Sequence, residues 1–540
     1  MKRAIRRGVA VLLGLVLSVS VFAGQGAVVA EVAASTRTRA AGTSAGDGVA
    51  ISTQTAGASA AASERAGYLE PTPGTSVTLR ISNWEEYIDE GGWGDDEVID
   101  LESGDIFGES SMVDDFSQWY EETYDVTVTV EYSTVGTNEG LYNMLTLGDT
   151  FDLIGPSEYM FTRLFEEGRV RELSEGFHDP DVPHNYYAQG LSPYIRQIFT
   201  EQTTNGKPWA DFAAGYMWGV TGILYNPEEV AEEDASTWQI LNNPDYFRQV
   251  TIKDNSRDAY FAAVAALERD LLTSEEFLND PNYQENLEDL MNDTSPERIQ
   301  QVQDYLQDVK DNVYAFEVDS GKSDMAAGRV LANYQWSGDA IYAMDEAEAD
   351  DLYLNFAVPE EVTNIYFDAW VMLEDGIAGD EAKQHAAEAF INFVSRPDNV
   401  VRNMYYIGYT SVISGGEDGR VMEYLQWNYE SEEEEAIPYD ISYFFAEEPE
   451  AQPDAYVIMA DEDQVDRQLA AQYPQLQLME RASIMRNFGQ ERNRLINDMW
   501  VNVRCFHIND LPWWAWALTA AMVGALVYLG VRKVRKGRVG

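Results

Sequence analysis

The sequence predicts an α/β protein whose sheets carry helices on both faces, set between two apolar terminal segments. Three observations lead there. Strand-like runs at 126–131, 151–155, 222–225 and 330–335 alternate with helical periods such as 382–394, the pattern of sheets covered on both sides. The chain has 540 residues and is 45% hydrophobic, enough for real cores rather than a disordered polymer. An apolar stretch stands near each end, and neither resembles the body between them.

The N-terminal segment reads as an export signal, residues 1–23. Lys2, Arg3, Arg6 and Arg7 precede an apolar run at 8–21, and Val21-Phe22-Ala23 is a small-residue cleavage site. Residues 24–75 are rich in Ala, Ser, Thr and Gly and are expected to form a flexible, low-complexity leader. At Val77-Thr78-Leu79-Arg80-Ile81 the pattern turns to strand, and at 112–120 to amphipathic helix, so the folded body begins there. The acid-rich stretch 94–111 is expected to be a surface insertion and the run 432–435 a solvated loop. No internal repeat stands out.

Residues 511–531 carry no charge, and roughly 20 such residues are enough to cross ~30 Å of hydrocarbon as a helix. Trp513, Trp514 and Trp516 would anchor its outer edge. The basic tail 532–540, with Arg532, Lys533, Arg535, Lys536 and Arg538, would stay in the cytoplasm by the positive-inside rule. The expected location is therefore extracytoplasmic, periplasmic or at the cell surface, with a transmembrane helix as membrane anchor. No cysteine near the cleavage site could take a lipid instead.

Composition excludes several functions. With 93 Asp and Glu against 36 Lys and Arg, the formal charge of −57 would repel a phosphate backbone, so nucleic acid is not an expected partner. An acidic surface suited to a saline habitat accounts for so many acids as well as a cationic ligand does. The single cysteine, Cys505, rules out an intrachain disulfide framework. His178, His184, His385 and His507 are scattered without metal-ligand spacing, so no metal and no cofactor is expected. There is no Gly-x-Ser-x-Gly elbow, and Ser320-Gly321-Lys322-Ser323 lacks the earlier glycine of a phosphate loop, having Phe316 at that place. No catalytic residue is assigned.

Several segments occur in the order and spacing of one family. Ser82-Asn83-Trp84-Glu85-Glu86-Tyr87 resembles the first ligand loop of the bacterial spermidine/putrescine-binding proteins of polyamine ABC transporters, which are extracellular solute-binding proteins. Asp152-Leu153-Ile154-Gly155-Pro156-Ser157-Glu158-Tyr159 resembles that family's Asp-Leu-Val-x-Pro-Ser segment. Tyr216-Met217-Trp218-Gly219-Val220-Thr221-Gly222 resembles its lobe-crossing strand. Ser236-Thr237-Trp238-Gln239-Ile240-Leu241, Lys253-Asp254-Asn255-Ser256-Arg257-Asp258, Gln335-Trp336-Ser337-Gly338-Asp339 and Tyr366-Phe367-Asp368 follow. The helix and loop from Ala389-Phe390-Ile391-Asn392-Phe393 through Arg396-Pro397-Asp398 to Ile407-Gly408-Tyr409 complete the set, which covers about 76–504.

The resemblance implies a two-lobed periplasmic-binding-protein fold with discontinuous lobes and a hinge. Lobe 1 would hold 76–219 and 368–412; lobe 2 would hold 220–367 and 413–504. It further implies a ligand site in which Trp84, Trp336, Tyr366 and Tyr409 wall a hydrocarbon chain. Glu86, Asp258, Asp339 and Asp368 would meet ammonium groups, and Tyr87, Ser157 and Tyr159 would add neutral hydrogen bonds. These residue types suit a polyamine: aromatic faces cover methylenes and attract ammonium, and carboxylates replace its lost hydration. Asn255 stands where spermidine binders carry an acid, and Tyr366 replaces a tryptophan. Trp336-Ser337-Gly338-Asp339 matches the Trp-x-Gly-Asp form of putrescine binders, a lean to the diamine that leaves putrescine and spermidine both open.

The expected partners are a polyamine ligand, the permease and ATPase subunits of an ABC importer, and the cytoplasmic membrane. Other readings stay open at this point: a related binder for a sugar, amino acid or ferric complex, a carboxylate-dependent glycoside hydrolase, or a tethered sensor subunit.

Overall fold

The computed structural model describes residues 69–505, apart from 95–96, 432 and 452–454, together with residue 522. The expected signal peptide 1–23, most of the expected leader and the basic tail 532–540 lie outside these residues. So does the expected span 511–531, apart from Met522. Among the described residues no helix is long and apolar enough to cross a membrane. The end of the expected leader belongs to the folded body. Pro71 is buried, and the Gly74 amide donates to the Asp125 carbonyl at 2.6 Å.

The first strand, β1 (Ser76–Trp84), alternates as a half-covered strand should, with Val77, Leu79 and Ile81 buried. Helix α1 (Met112–Tyr124) buries Met112, Phe116 and Tyr120, one residue per turn, and Ser111 caps it by accepting from the Asp114 amide. β2 (Thr127–Val135) pairs in parallel with β1 over its whole length, from Ser76↔Thr127 to Trp84↔Val135. After α2 (Asn138–Leu147), β3 (Leu153–Ile154) joins β1 in parallel and leads into α3 (Glu158–Glu166). The acid-rich insertion is more than surface: Ile99 and Ile106 pair across it, and both are buried with Leu101.

A second set follows the same plan. β4 (Ala214–Tyr225) precedes β5 (Val250–Lys253) and α4 (Ser256–Leu267), then β6 (Ala315–Glu317) with α5 (Ser320–Ala326), and β7 (Ala332–Trp336) with α6 (Ser337–Glu348). β8 (Thr363–Leu373) then returns beside β4, followed by α7 (Glu381–Val394) and α8 (Pro397–Ile407). The order across the sheet is β2-β1-β3-β8-β4-β7-β5-β6, with short strands at Val170–Arg171, Asn355–Ala357, Thr410–Ser411 and Ala482–Ser483 completing twelve.

Every residue of β4 and β8 is buried. These antiparallel strands serve both halves of the sheet, so neither has a solvent face and neither alternates. Their register is irregular at one step. Asp368 pairs with Met217 but Ala369 pairs with Gly215, leaving Tyr216 as the extra residue of a β-bulge. Outside them, β1, β2 and β3 form one parallel group and β7, β5 and β6 another.

Candidate functional site

The carboxyl ends of the two parallel groups face one cavity of about 520 Å³. Ligands of open α/β sheets bind outside such strand ends. Trp84 closes β1, Lys253 closes β5, Glu317 closes β6 and Trp336 closes β7, and all four line this space. All twelve residues singled out from the sequence line it too: Trp84, Glu86, Tyr87, Ser157, Tyr159, Asn255, Asp258, Trp336, Asp339, Tyr366, Asp368 and Tyr409.

Asp368, in β8, sits beside the bulge and lines the cavity. It accepts from the Tyr87 hydroxyl at 2.7 Å and from the Ser157 hydroxyl at 2.7 Å, and the Trp84 indole adds a third donor. All three donors are neutral. Burial pushes its carboxyl up to about 6, against those hydrogen bonds. Tyr87 also meets Tyr409 edge-on, ring centroids 4.6 Å apart, and Tyr366 lies 6.5 Å beyond Tyr409. These rings form an aromatic wall beside the carboxylate.

Asp258 and Asp339 occupy equivalent places in successive strand-helix units, each third in its helix: α4 after Asn255, α6 after Trp336. The unpaired amides of a helix start favour a negative charge there. Asn255 is committed to the helix: its side-chain oxygen accepts from the Arg257 and Asp258 amides at 2.8 and 3.4 Å. Burial raises Asp258 to about 7 against the opposing pull of Lys253, and its Oδ2 has no hydrogen-bond partner. Gly338 lets α6 approach the Tyr409 ring, since a Cβ there would overlap it. The Tyr409 hydroxyl then donates to Asp339 Oδ1 at 2.9 Å.

The remaining predicted residues differ in their surroundings. Tyr159 carries the Arg257 guanidinium 4.7 Å above its ring, and its hydroxyl lies 3.5 Å from Glu139 Oε1. Trp336 has one face covered by the Lys253 ammonium, 4.1 Å from the ring centroid. Glu86 stands on the rim, its side chain 76% exposed.

Sequence reasoning assigned no role to Lys253, Lys322, Glu158 or Glu317. Lys253 is fully buried, 3.3 Å from Glu317 and 3.9 Å from Asp339. Glu158 accepts from the Phe367 amide at 3.1 Å, and burial raises its carboxyl to about 8. Lys253 opens the segment Lys253-Asp254-Asn255, and Lys322 belongs to the Ser-Gly-Lys-Ser run set aside as a phosphate loop. A lysine within an acid-rich motif at a strand end was the available signal.

Comparison with known proteins gives a consistent outcome. The profile of the bacterial extracellular solute-binding protein family matches residues 111–421. The putrescine-binding periplasmic protein PotF of Escherichia coli K12 is 25% identical over 343 residues, 62% of this chain and 77% of PotF. The spermidine/putrescine-binding periplasmic protein of Salmonella typhimurium LT2 is 23% identical over 340 residues, 62% of this chain and 76% of that one. Among solved structures, a protein from Listeria monocytogenes superposes with TM-score 0.53 at 21% identity, covering 79% of this chain and 99% of its own. The spermidine/putrescine ABC transporter substrate-binding protein PotD of Streptococcus pneumoniae gives 0.50 at 20% identity, covering 79% and 98%. The fold is therefore the two-lobed periplasmic-binding-protein fold with a mixed sheet.

Proposed function

We propose, from the premise that this chain belongs to the bacterial extracellular solute-binding protein family, that it captures a polyamine between its lobes and delivers it to an ABC importer. Its relatives are solute-binding proteins, and it is a binding protein, not an enzyme. The observation that carries the reading is the pair of buried carboxylates, Asp258 and Asp368, in an aromatic-lined cavity. Neither forms an ion pair among the described residues. A buried carboxylate without an ion-pair partner is costly, and a bound ammonium group relieves that cost while the rings cover its methylenes.

Lobe 1, 76–219 with 368–412, and lobe 2, 220–367 with 413–504, close about the crossing strands when the ligand binds. The twelve lining residues divide as their chemistry suggests. Trp84, Trp336, Tyr366 and Tyr409 cover the chain, and Asp258 and Asp368 meet ammonium groups. Glu86 and Asp339 add negative charge at the rim and beside the lysines. Tyr87, Ser157 and Tyr159 fix geometry, and Asn255 holds Asp258 in place through its helix cap. The segment 511–531 holds the protein at the membrane, where tethering raises its concentration near the permease.

Calorimetry on the purified protein tests this with putrescine, spermidine and maltose. A saturable heat with at least one of the amines and none with maltose is expected. Heat with maltose alone, or with no amine, rejects the reading.

A further inference from the structure

The cleft already contains an ammonium group of its own. Lys322 Nζ, on α5, lies 3.7 Å from Asp339 Oδ1, 2.7 Å from Asp319 and 3.6 Å from Glu86. Glu86 follows β1, so this contact joins the two halves of the sheet. The Tyr342 ring centroid is 5.3 Å away, and the lysine side chain is only 14% exposed. Carboxylates together with an aromatic face are the surroundings that a free amine requires on leaving water.

Five buried carboxylates line the cavity: Glu158, Asp258, Glu317, Asp339 and Asp368. Glu317 is neutralised by Lys253. Asp339 is shared by Lys253 and Lys322. Glu158 is held by the Phe367 amide. Glu158, Asp258 and Asp368 form no ion pair among the described residues. Burial raises Glu158 to about 8 and so keeps it largely protonated near neutral pH, which leaves Asp258, within the field of Lys253 and Arg257, and Asp368 as the two positions for ammonium groups. Carboxylates on the exposed rim are screened by water and contribute little.

We propose that Lys322 is a built-in ammonium that fills one charge position of the cleft and so makes this a site for diamines over triamines. The third ammonium of a triamine meets Asp339 already neutralised and a like charge beside it. This inference rests on the polyamine reading above.

The test is a titration of the full chain, wild type and Lys322→Met, with putrescine and spermidine by calorimetry. The wild type is expected to bind putrescine at least tenfold more tightly than spermidine. In Lys322→Met the spermidine-to-putrescine affinity ratio should rise at least tenfold, whereas Lys322→Arg, which keeps the charge, should retain the wild-type ratio. If Lys322→Met does not melt cooperatively, Lys322→Gln makes the same comparison with Lys322→Arg. A ratio unchanged on removing the charge, or a wild type that prefers spermidine, overturns the role of Lys322 and leaves the polyamine reading standing. A chain that binds neither amine overturns both.

Discussion

The two sides of the cavity share a plan and treat charge in opposite ways. On the side of β1 and β3, Asp368 is surrounded by hydroxyl and indole donors from Tyr87, Ser157 and Trp84, with no lysine or arginine paired to it among the described residues. On the side of β5, β6 and β7, Glu317, Asp339, Lys253 and Lys322 form an ion-paired network, and Asp258 alone of the buried carboxylates lining that side stands outside it. Neutral donors hold a carboxylate in place yet leave its charge unmatched. A lysine matches it, converting a would-be ligand position into part of the scaffold. Similar strand ends thus yield a receptive side and a braced one.

The largest expected break comes on the braced side. Lys253→Met strands Glu317 in the interior, and removing one partner of a buried pair costs about 3–5 kcal/mol, so chemical denaturation should reveal a loss of stability in the ligand-free protein. A midpoint within error of the wild type would make the network dispensable. On the receptive side the reverse is expected. Asp368→Asn removes a desolvated charge partner of the ligand, worth about 2–5 kcal/mol or roughly 30-fold or more in affinity. Ligand-free stability should not fall, because the variant no longer buries that charge. Loss of stability with affinity intact would invert the comparison.

A pH series sharpens it. Burial raises Asp368 to about 6 and Asp258 to about 7, from an ordinary value of 3.8. Between these limits the folded, empty protein keeps protons that the unfolded chain has released. These two groups therefore lower stability as pH rises through the window, fully so above about 7 and not at all below about 4. A cation needs them ionised, so affinity falls as pH drops below about 7, by up to about tenfold per unit for each carboxylate. The melting-temperature gain from putrescine should be large at about pH 8 and small at about pH 5, and equal gains at both would count against these carboxylates.

How much of this was legible in the sequence varies by region. Most of the twelve predicted residues lie in short segments at strand ends and helix starts, with Tyr366 and Asp368 inside β8, and there spacing and residue type carry the signal. Strand β4 was readable by apolar pattern only at 222–225, because a strand covered on both faces has no period to detect; the resemblance extended it back to 216. β6 was not read at all, being three residues long. The lysines were missed for a different reason. Lys322 meets Glu86 across 236 positions of chain, and nothing local in Ser320-Gly321-Lys322-Ser323 announces that partner. The lobe boundaries and the membrane segment remain sequence-based proposals.

The bulge at Tyr216 has a bearing on how this chain can vary. Its hydroxyl donates to the Tyr87 carbonyl at 2.8 Å, linking the extra residue to the loop that follows Trp84 and carries Glu86. Deleting it would regularise the β4–β8 ladder and swap which side chains on one flank point up or down. Since both strands serve both halves of the sheet, no change in their length can be confined to one half. Insertions belong in excursions such as 94–111, while the crossing strands act as a ruler of fixed length against which both lobes are measured.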